Sequence, residues 1–214
     1  VPLSRPTRSI PRRPSAAPLA DRLVEAAEAI LAEEGLEALT LRAIARRAGV
    51  THGAPLRHYP SLAALLSEVA ARGFRALVAA VEAAETALPP GADGPARLAA
   101  AARAYVGCAV ARPGVFALMF RPELLDVAAP RFARDSQAAF AQLERAVRAA
   151  QDGGWRTAAP TRRLAGALWA SIHGFASLWT QGAYQGVVRA PSLDAALDDL
   201  VGLLLAEPHT RSSS

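Results

Sequence analysis

Apolar residues recur every three or four positions over most of the chain, which is the period of a helix face. Leu23, Ala26, Ala27, Ile30 and Leu31 mark the inward face of a first helix over 19–34, and Gly35 ends it. Thr40 then offers its hydroxyl as an N-cap to a short helix whose apolar face is Leu41, Ile44, Ala45 and Ala48. Gly49 follows that face, where a left-handed C-cap is expected. Val50 plugs the corner and Thr51 caps the next helix, predicted over 52–58. Pro55 falls in or just after its first turn, where a missing N–H costs little. Pro60 stops it, and Ser61 caps a long helix that runs to about Leu88.

The Pro/Gly cluster over 89–95 is a loop. Beyond it the pattern predicts helices over 96–111, 115–120, 131–151, 161–181 and 193–206, with 121–130 irregular and Asp152, Gly153 and Gly154 as a break. No strand pattern, heptad or internal repeat interrupts them. The chain therefore reads as all-α, with about nine helices. Its expected organisation is a basic tail over 1–18, a three-helix unit over 19–66, a larger helical domain over 67–206 and a loose tail over 207–214.

Two short helices about a glycine turn, followed by a third, form the layout of a helix-turn-helix DNA reader. An ordinary αα-hairpin with a glycine turn has the same spacing, so the spacing alone does not decide. On the DNA reading, Gly53 and Ala54 allow close approach to base edges, and Arg57 reaches a phosphate or a guanine. His58 and Tyr59 donate to phosphates, and Thr40, Arg42, Thr51 and His52 complete the candidate face.

Residues 19–66 also resemble the N-terminal DNA-binding domain of TetR-type transcriptional repressors. The resemblance lies in the leading helix DRLVEAAEAI, in Gly35, in LTLRAIARRAGVT over 39–51 and in GAPLRHY over 53–59. It implies a dimer whose two readers enter successive major grooves of a near-palindromic operator, about 34–36 Å apart. Two positions depart from the family pattern: Leu56 replaces a usual Tyr and Leu62 a usual Lys. Both usual residues touch the DNA backbone, so affinity is expected to lean on the remaining contacts and on the basic tail.

Composition adds limits. The 214 residues carry a net charge of +5, and all 24 basic residues are Arg. That balance suits a nucleic-acid partner without proving one. Arg5, Arg8, Arg12 and Arg13 meet no acid before Asp21, so the tail is either an arm that tracks DNA or a solvated leader. Cys108 is the sole cysteine, which rules out an intrachain disulfide and agrees with a cytoplasmic location, as does an N-terminus without the apolar core of a signal peptide. Leu164 to Val188 contains no charged residue, but its Ser, Thr, Gln and His side chains favour a buried helix over a membrane span. No metal-ligand spacing links the four His residues, and no phosphate loop, HExxH or serine nucleophile motif is present. Neither an enzyme nor a cofactor or metal is expected.

Trp169 and His173 share a helix face, and Gly174 beside them permits close helix contact. Tyr105, Cys108, Phe116, Met119, Phe120 and Phe140 lie on neighbouring helices and are the candidate walls of a small-molecule pocket around that pair. Plain core packing is the alternative for each of them. The segment LWASIHGF over 168–175, with PGVFALMF over 113–120 upstream, resembles the Trp–His–Gly class of TetR C-terminal domains. The resemblance implies a homodimer through the last two helices and a regulator released from DNA by a small, apolar effector. An all-α ligand-binding protein or enzyme without DNA binding is the alternative, and a thiol sensor built on Cys108 is a further one.

Overall fold

A computed structural model describes residues 18–206. The tail expected over 207–214 lies outside the described residues, as does the N-terminal one apart from Pro18. The described residues form nine α-helices and no strand. They are α1 (Leu19–Glu33), α2 (Leu41–Arg47), α3 (Leu62–Thr86), α4 (Gly94–Ala111), α5 (Pro113–Met119), α6 (Pro130–Asp152), α7 (Thr161–Thr180), α8 (Ala183–Val188) and α9 (Leu193–Leu205). Short 3-10 turns occupy Leu36–Ala38, Pro55–Arg57 and Pro122–Leu124.

The expected caps are formed at the start of the reader and of the connector. Thr40 Oγ1 accepts from Ala43 N–H at 3.0 Å and Ser61 Oγ from Ala64 N–H at 3.1 Å. Gly49 adopts φ 69°, the left-handed cap its position called for. The expected α-helix over 52–58 is not formed. Ala54 N–H bonds to Thr51 O at 3.0 Å, Arg57 N–H to Ala54 O at 3.2 Å and His58 N–H to Pro55 O at 3.0 Å. All three span three residues, the 3-10 pattern. Gly53 and Pro55 are the two weakest helix formers, and they sit one residue either side of Ala54. Thr51 contributes its carbonyl here instead of the expected hydroxyl cap.

Three later helices begin earlier than the apolar period suggests, at Gly94, Pro113 and Pro130. In each a proline stands in the first turn, where its fixed φ suits a helix and its missing N–H is not needed. Helix α8 was not foreseen. Its six residues, AYQGVV, are too few to show a period, and left-handed Gly182 and Arg189 bound it.

The first hydrophobic cluster joins α1, α2, most of α3 and α5 around Leu23, Ile30, Ile44, Leu65, Val69 and Leu118. Arg22 donates to Ala48 O, and Arg72 pairs with Asp21, so the start of α1 is tied to the reader turn and to α3. A second cluster packs α4 and α5 against α7 and α9 around Val106, Phe116, Phe175 and Leu197. A third joins α4, α6 and α7 around Leu98, Val147, Trp155 and Leu168. Helix α3 is thus shared: its start is reader core and its remainder packs on α4, α5 and α6. Among the described residues no helix is long and apolar enough to cross a membrane.

Candidate DNA-reading face and ligand cavity

The start of α2 and the turn over 51–58 form one exposed face. Thr40, Arg42, Thr51, His52, Gly53, Arg57 and His58 are all exposed on it, and Ala54 is half-buried. Among the described residues Arg42 and Arg57 have no salt-bridge partner. Arg46, left out of the sequence-based candidates, is also exposed and unpaired, whereas its neighbour Arg47 pairs with Glu33 and Glu34. The Arg46–Arg47 doublet was the available signal, and only the fold separates its members. Tyr59 differs from the expectation of a free phosphate donor. It is half-buried against the first cluster and donates to Ala20 O at 3.5 Å. Burial pushes its pKa up, and nearby Glu68 adds to the rise.

Between α3, α4, α6 and α7 lies a cavity of about 1060 Å³. Six of the eight expected wall residues line it: Tyr105, Met119, Phe120, Phe140, Trp169 and His173. Two do not. Phe116 lies behind the wall, 5% exposed, with its ring centroid 5.5 Å from Tyr105, 5.3 Å from Phe120 and 5.3 Å from His173. Cys108 is three residues beyond Tyr105 on α4, past the Tyr105–Phe116 ring pair, and packs toward the first cluster instead. Burial raises its thiol pKa, which keeps it protonated and unreactive. Phe74 on α3 and Phe132 and Gln142 on α6 line the cavity but were not foreseen.

The polar wall is a chain of hydrogen bonds. Trp169 Nε1–H donates to Tyr105 Oη at 3.3 Å, and Tyr105 Oη lies 2.9 Å from His173 Nδ1. His173 Nε2 lies 3.4 Å from Ser177 Oγ. An indole N–H can only donate, so Tyr105 Oη accepts from Trp169, while the direction of its bond to His173 follows the tautomer of that ring. Burial lowers the pKa of His173 and raises that of Tyr105, so both stay neutral near neutral pH.

A pH dependence follows from His173. The unfolded imidazole titrates near its ordinary 6.5 and the folded one lower. Above that value both states are neutral and the group contributes nothing. As pH falls below it, the unfolded chain takes up the proton first, so stability is lost until the folded ring is also protonated. Urea melts at pH values of about 7.5 and 5.5 are expected to show this loss, and His173→Gln should reduce it. An equal loss in the variant would contradict the assignment.

A basic helix-turn-helix face joined by one continuous helix to an apolar cavity defines a DNA-binding regulator with a helical control domain. The chain belongs to the TetR family of regulators. Residues 23–69 match the family of bacterial regulatory proteins named for TetR, and residues 98–204 match the tetracyclin repressor-like C-terminal domain. A protein of unknown function from Rhodococcus sp. RHA1 is 33% identical, with 91% of this chain and 100% of that one covered and a TM-score of 0.73. The fatty acid degradation regulator FadR from Bacillus halodurans shares the fold at 16% identity, with coverage of 90% and 97% and a TM-score of 0.70. A TetR-family regulatory protein from Rhodococcus RHA1 does so at 22% identity, with coverage of 89% and 96% and a TM-score of 0.65. No curated protein matches the chain. Family membership makes the chain a transcriptional regulator and not an enzyme.

Proposed function

We propose that this regulator is a cytoplasmic repressor that binds a near-palindromic operator as a homodimer and is released by a small, largely apolar effector. The observation that supports it best is the sharing of elements. Helix α3 starts in the reader and lines the cavity with Phe74, Leu77 and Val81, so a ligand that moves its outer part tilts the reader with it. Loss of the spacing at which both half-sites are met lowers affinity for DNA. The domain division then falls at 66/67, inside α3. Thr40, Arg42, Thr51, His52, Gly53, Ala54, Arg57 and His58 face the DNA, joined by Arg46, while Tyr59 holds the turn against α1. Tyr105, Met119, Phe120, Phe140, Trp169 and His173 face the effector.

The dimer reading draws on the outer faces of α7 and α9. Ala167, Ala170 and Leu178 on α7 and Gly202 and Leu203 on α9 are exposed, and Leu203 is 79% exposed. Among the described residues, nothing beyond the local helix backbone lies within 4 Å of a Cβ built at Gly166, Gly174 or Gly202. Gly174, expected to permit close helix contact, therefore has no such neighbour among the described residues, which suits a second copy.

Mobility-shift assays with the upstream intergenic DNA test this reading. No retardation at low salt would sink it. Arg57→Ala is expected to weaken binding about tenfold or more while leaving the oligomer intact. Tyr59→Phe should leave affinity within about twofold, because its hydroxyl serves α1. Unchanged affinity in Arg57→Ala would contradict its placement.

A further inference from the structure

The cavity lining is specific about charge. Its two charged residues, Glu144 and Arg162, pair with each other at 3.1 and 3.2 Å, and the Arg162 side chain is 77% exposed. The guanidinium also lies over the Phe140 ring, 5.2 Å from its centroid. This pair sits at the rim, neutral as a unit. The other polar groups of the lining are uncharged, and most of their hydrogens are already committed. Trp169 N–H donates to Tyr105, Tyr105 and His173 share a hydrogen bond, His173 and Ser177 share another, and Ser136 donates to Ala133 O at 3.2 Å.

Two glutamines differ: Gln137 is exposed with no hydrogen-bond partner among the described residues, and Gln142 is buried. It is only 8% exposed, and its amide lies 3.2 Å from Val78 O. A carbonyl can only accept, so the group facing it must be the NH₂ and the remaining oxygen must be Oε1. That oxygen has no hydrogen-bond partner among the described residues and is not fully enclosed, and Gln142 lines the cavity. A desolvated amide oxygen gains most from a hydrogen-bond donor. The apolar walls are aromatic: Phe74 meets Phe120 and Phe132 edge-on at 5.6 and 5.9 Å, and Phe140 meets Trp169 at 6.0 Å. Such walls stack planar or fused rings.

We propose that the cavity takes an uncharged ring compound bearing a hydroxyl or N–H donor, oriented by Gln142 Oε1. The proposal rests on the effector-responsive reading above and names its ligand class. Among the described residues the cavity offers an anion no unpaired cation, and burial shifts the His173 ring toward its neutral form.

Calorimetry or thermal shift with matched probes on two skeletons tests it. The first set is oestrone, its methyl ether and its sulfate; the second is para-phenylphenol, its methyl ether and para-phenylbenzoate; oleate is the acyl comparison. At least one phenol is expected to bind, about tenfold or more tighter than its ether, with the anions weaker still. Gln142→Leu is expected to bring phenol and ether within about twofold of each other while Arg57-dependent DNA binding persists. Should that variant fail to fold, the ranking on the unaltered protein decides. Tighter binding of an anion or of oleate, an ether equal to its phenol, or no phenol binding at about 1 mM overturns the proposal. Mobility shifts on the same samples keep the two readings apart. DNA binding without phenol binding leaves the regulator standing and removes the ligand class; phenol binding without DNA binding does the reverse.

Discussion

Gly114→Val is expected to lower the melting temperature by roughly 5–10 °C, reflecting about 2–3 kcal/mol of overpacking. A Cβ at Gly114 would stand 2.6 Å from the carbonyl oxygen of Leu31 and 3.1 Å from its carbonyl carbon. Both are backbone atoms of α1, so no side-chain rotation relieves the clash. Helix α5 would have to retreat from α1, and its buried Val115, Leu118 and Met119 would leave the first cluster with it. Gly107→Ala is the control: it lies in α4 and, among the described residues, nothing beyond the local helix backbone is within 4 Å of its Cβ, so it should be neutral or stabilise by up to about 1 kcal/mol. Differential scanning fluorimetry separates the two. An unchanged melting temperature in Gly114→Val would show that the α1–α5 contact gives way freely.

The same contact bears on control. Helix α5 ends at the cavity with Met119 and begins against α1 with Gly114, and the Arg112–Glu28 pair at 4.0 Å lies beside that junction. On its other side, a Cβ at Gly73 of α3 would meet Met119 Sδ at 2.5 Å. Helices α1, α3 and α5 thus meet through glycines with no slack between them. A ligand pressing on Met119 or Phe120 has little room to be absorbed locally, and close-packed interiors transmit such displacements. Gly114→Val is accordingly expected to alter DNA affinity even without effector, which a mobility shift beside the melting curve would record.

How far the sequence could be read depended on what each residue expresses locally. The caps at Thr40 and Ser61 and the left-handed Gly49 were legible because a cap is a property of one residue and its neighbours. The α7 face bearing Trp169 and His173 was legible from its helical period. The 52–58 segment was not, because Leu56 and Arg57 support a helix while Gly53 and Pro55 oppose it, and only the tertiary setting decides. Helix starts at Pro113 and Pro130 were missed because the apolar period begins after the proline. Phe116 and Cys108 were indistinguishable from wall residues, since a period tells which side of a helix faces inward but not which of two inner spaces it meets. Gln142 did leave a signal: it interrupts the apolar stripe of Phe132, Ala139, Leu143 and Ala146 on α6. A polar residue on an inward stripe needs a partner, and half of that partner is Val78 O.

Phe116→Ala is the second large effect, with an expected loss of about 3–5 kcal/mol in urea unfolding. The ring is 5% exposed and touches three other rings, Tyr105 and Phe120 edge-on and His173 tilted, at 5.3 to 5.5 Å. Its removal takes away both the transferred apolar surface and the aromatic contacts, and it opens a void beside the wall of the existing cavity. Because Phe116 supports Tyr105 and His173 from behind, the void also frees the hydrogen bond between them. Two readouts follow. Stability should fall far more than in Cys108→Ala, where only a small half-buried side chain is lost. Preference for a phenol over its methyl ether should weaken only partly, since Gln142 on α6 keeps its position on Val78 O. Full retention of stability would mean that α5 collapses onto α7 without cost. Complete loss of ligand preference would instead place the orienting group in the Tyr105–His173 chain, not at Gln142.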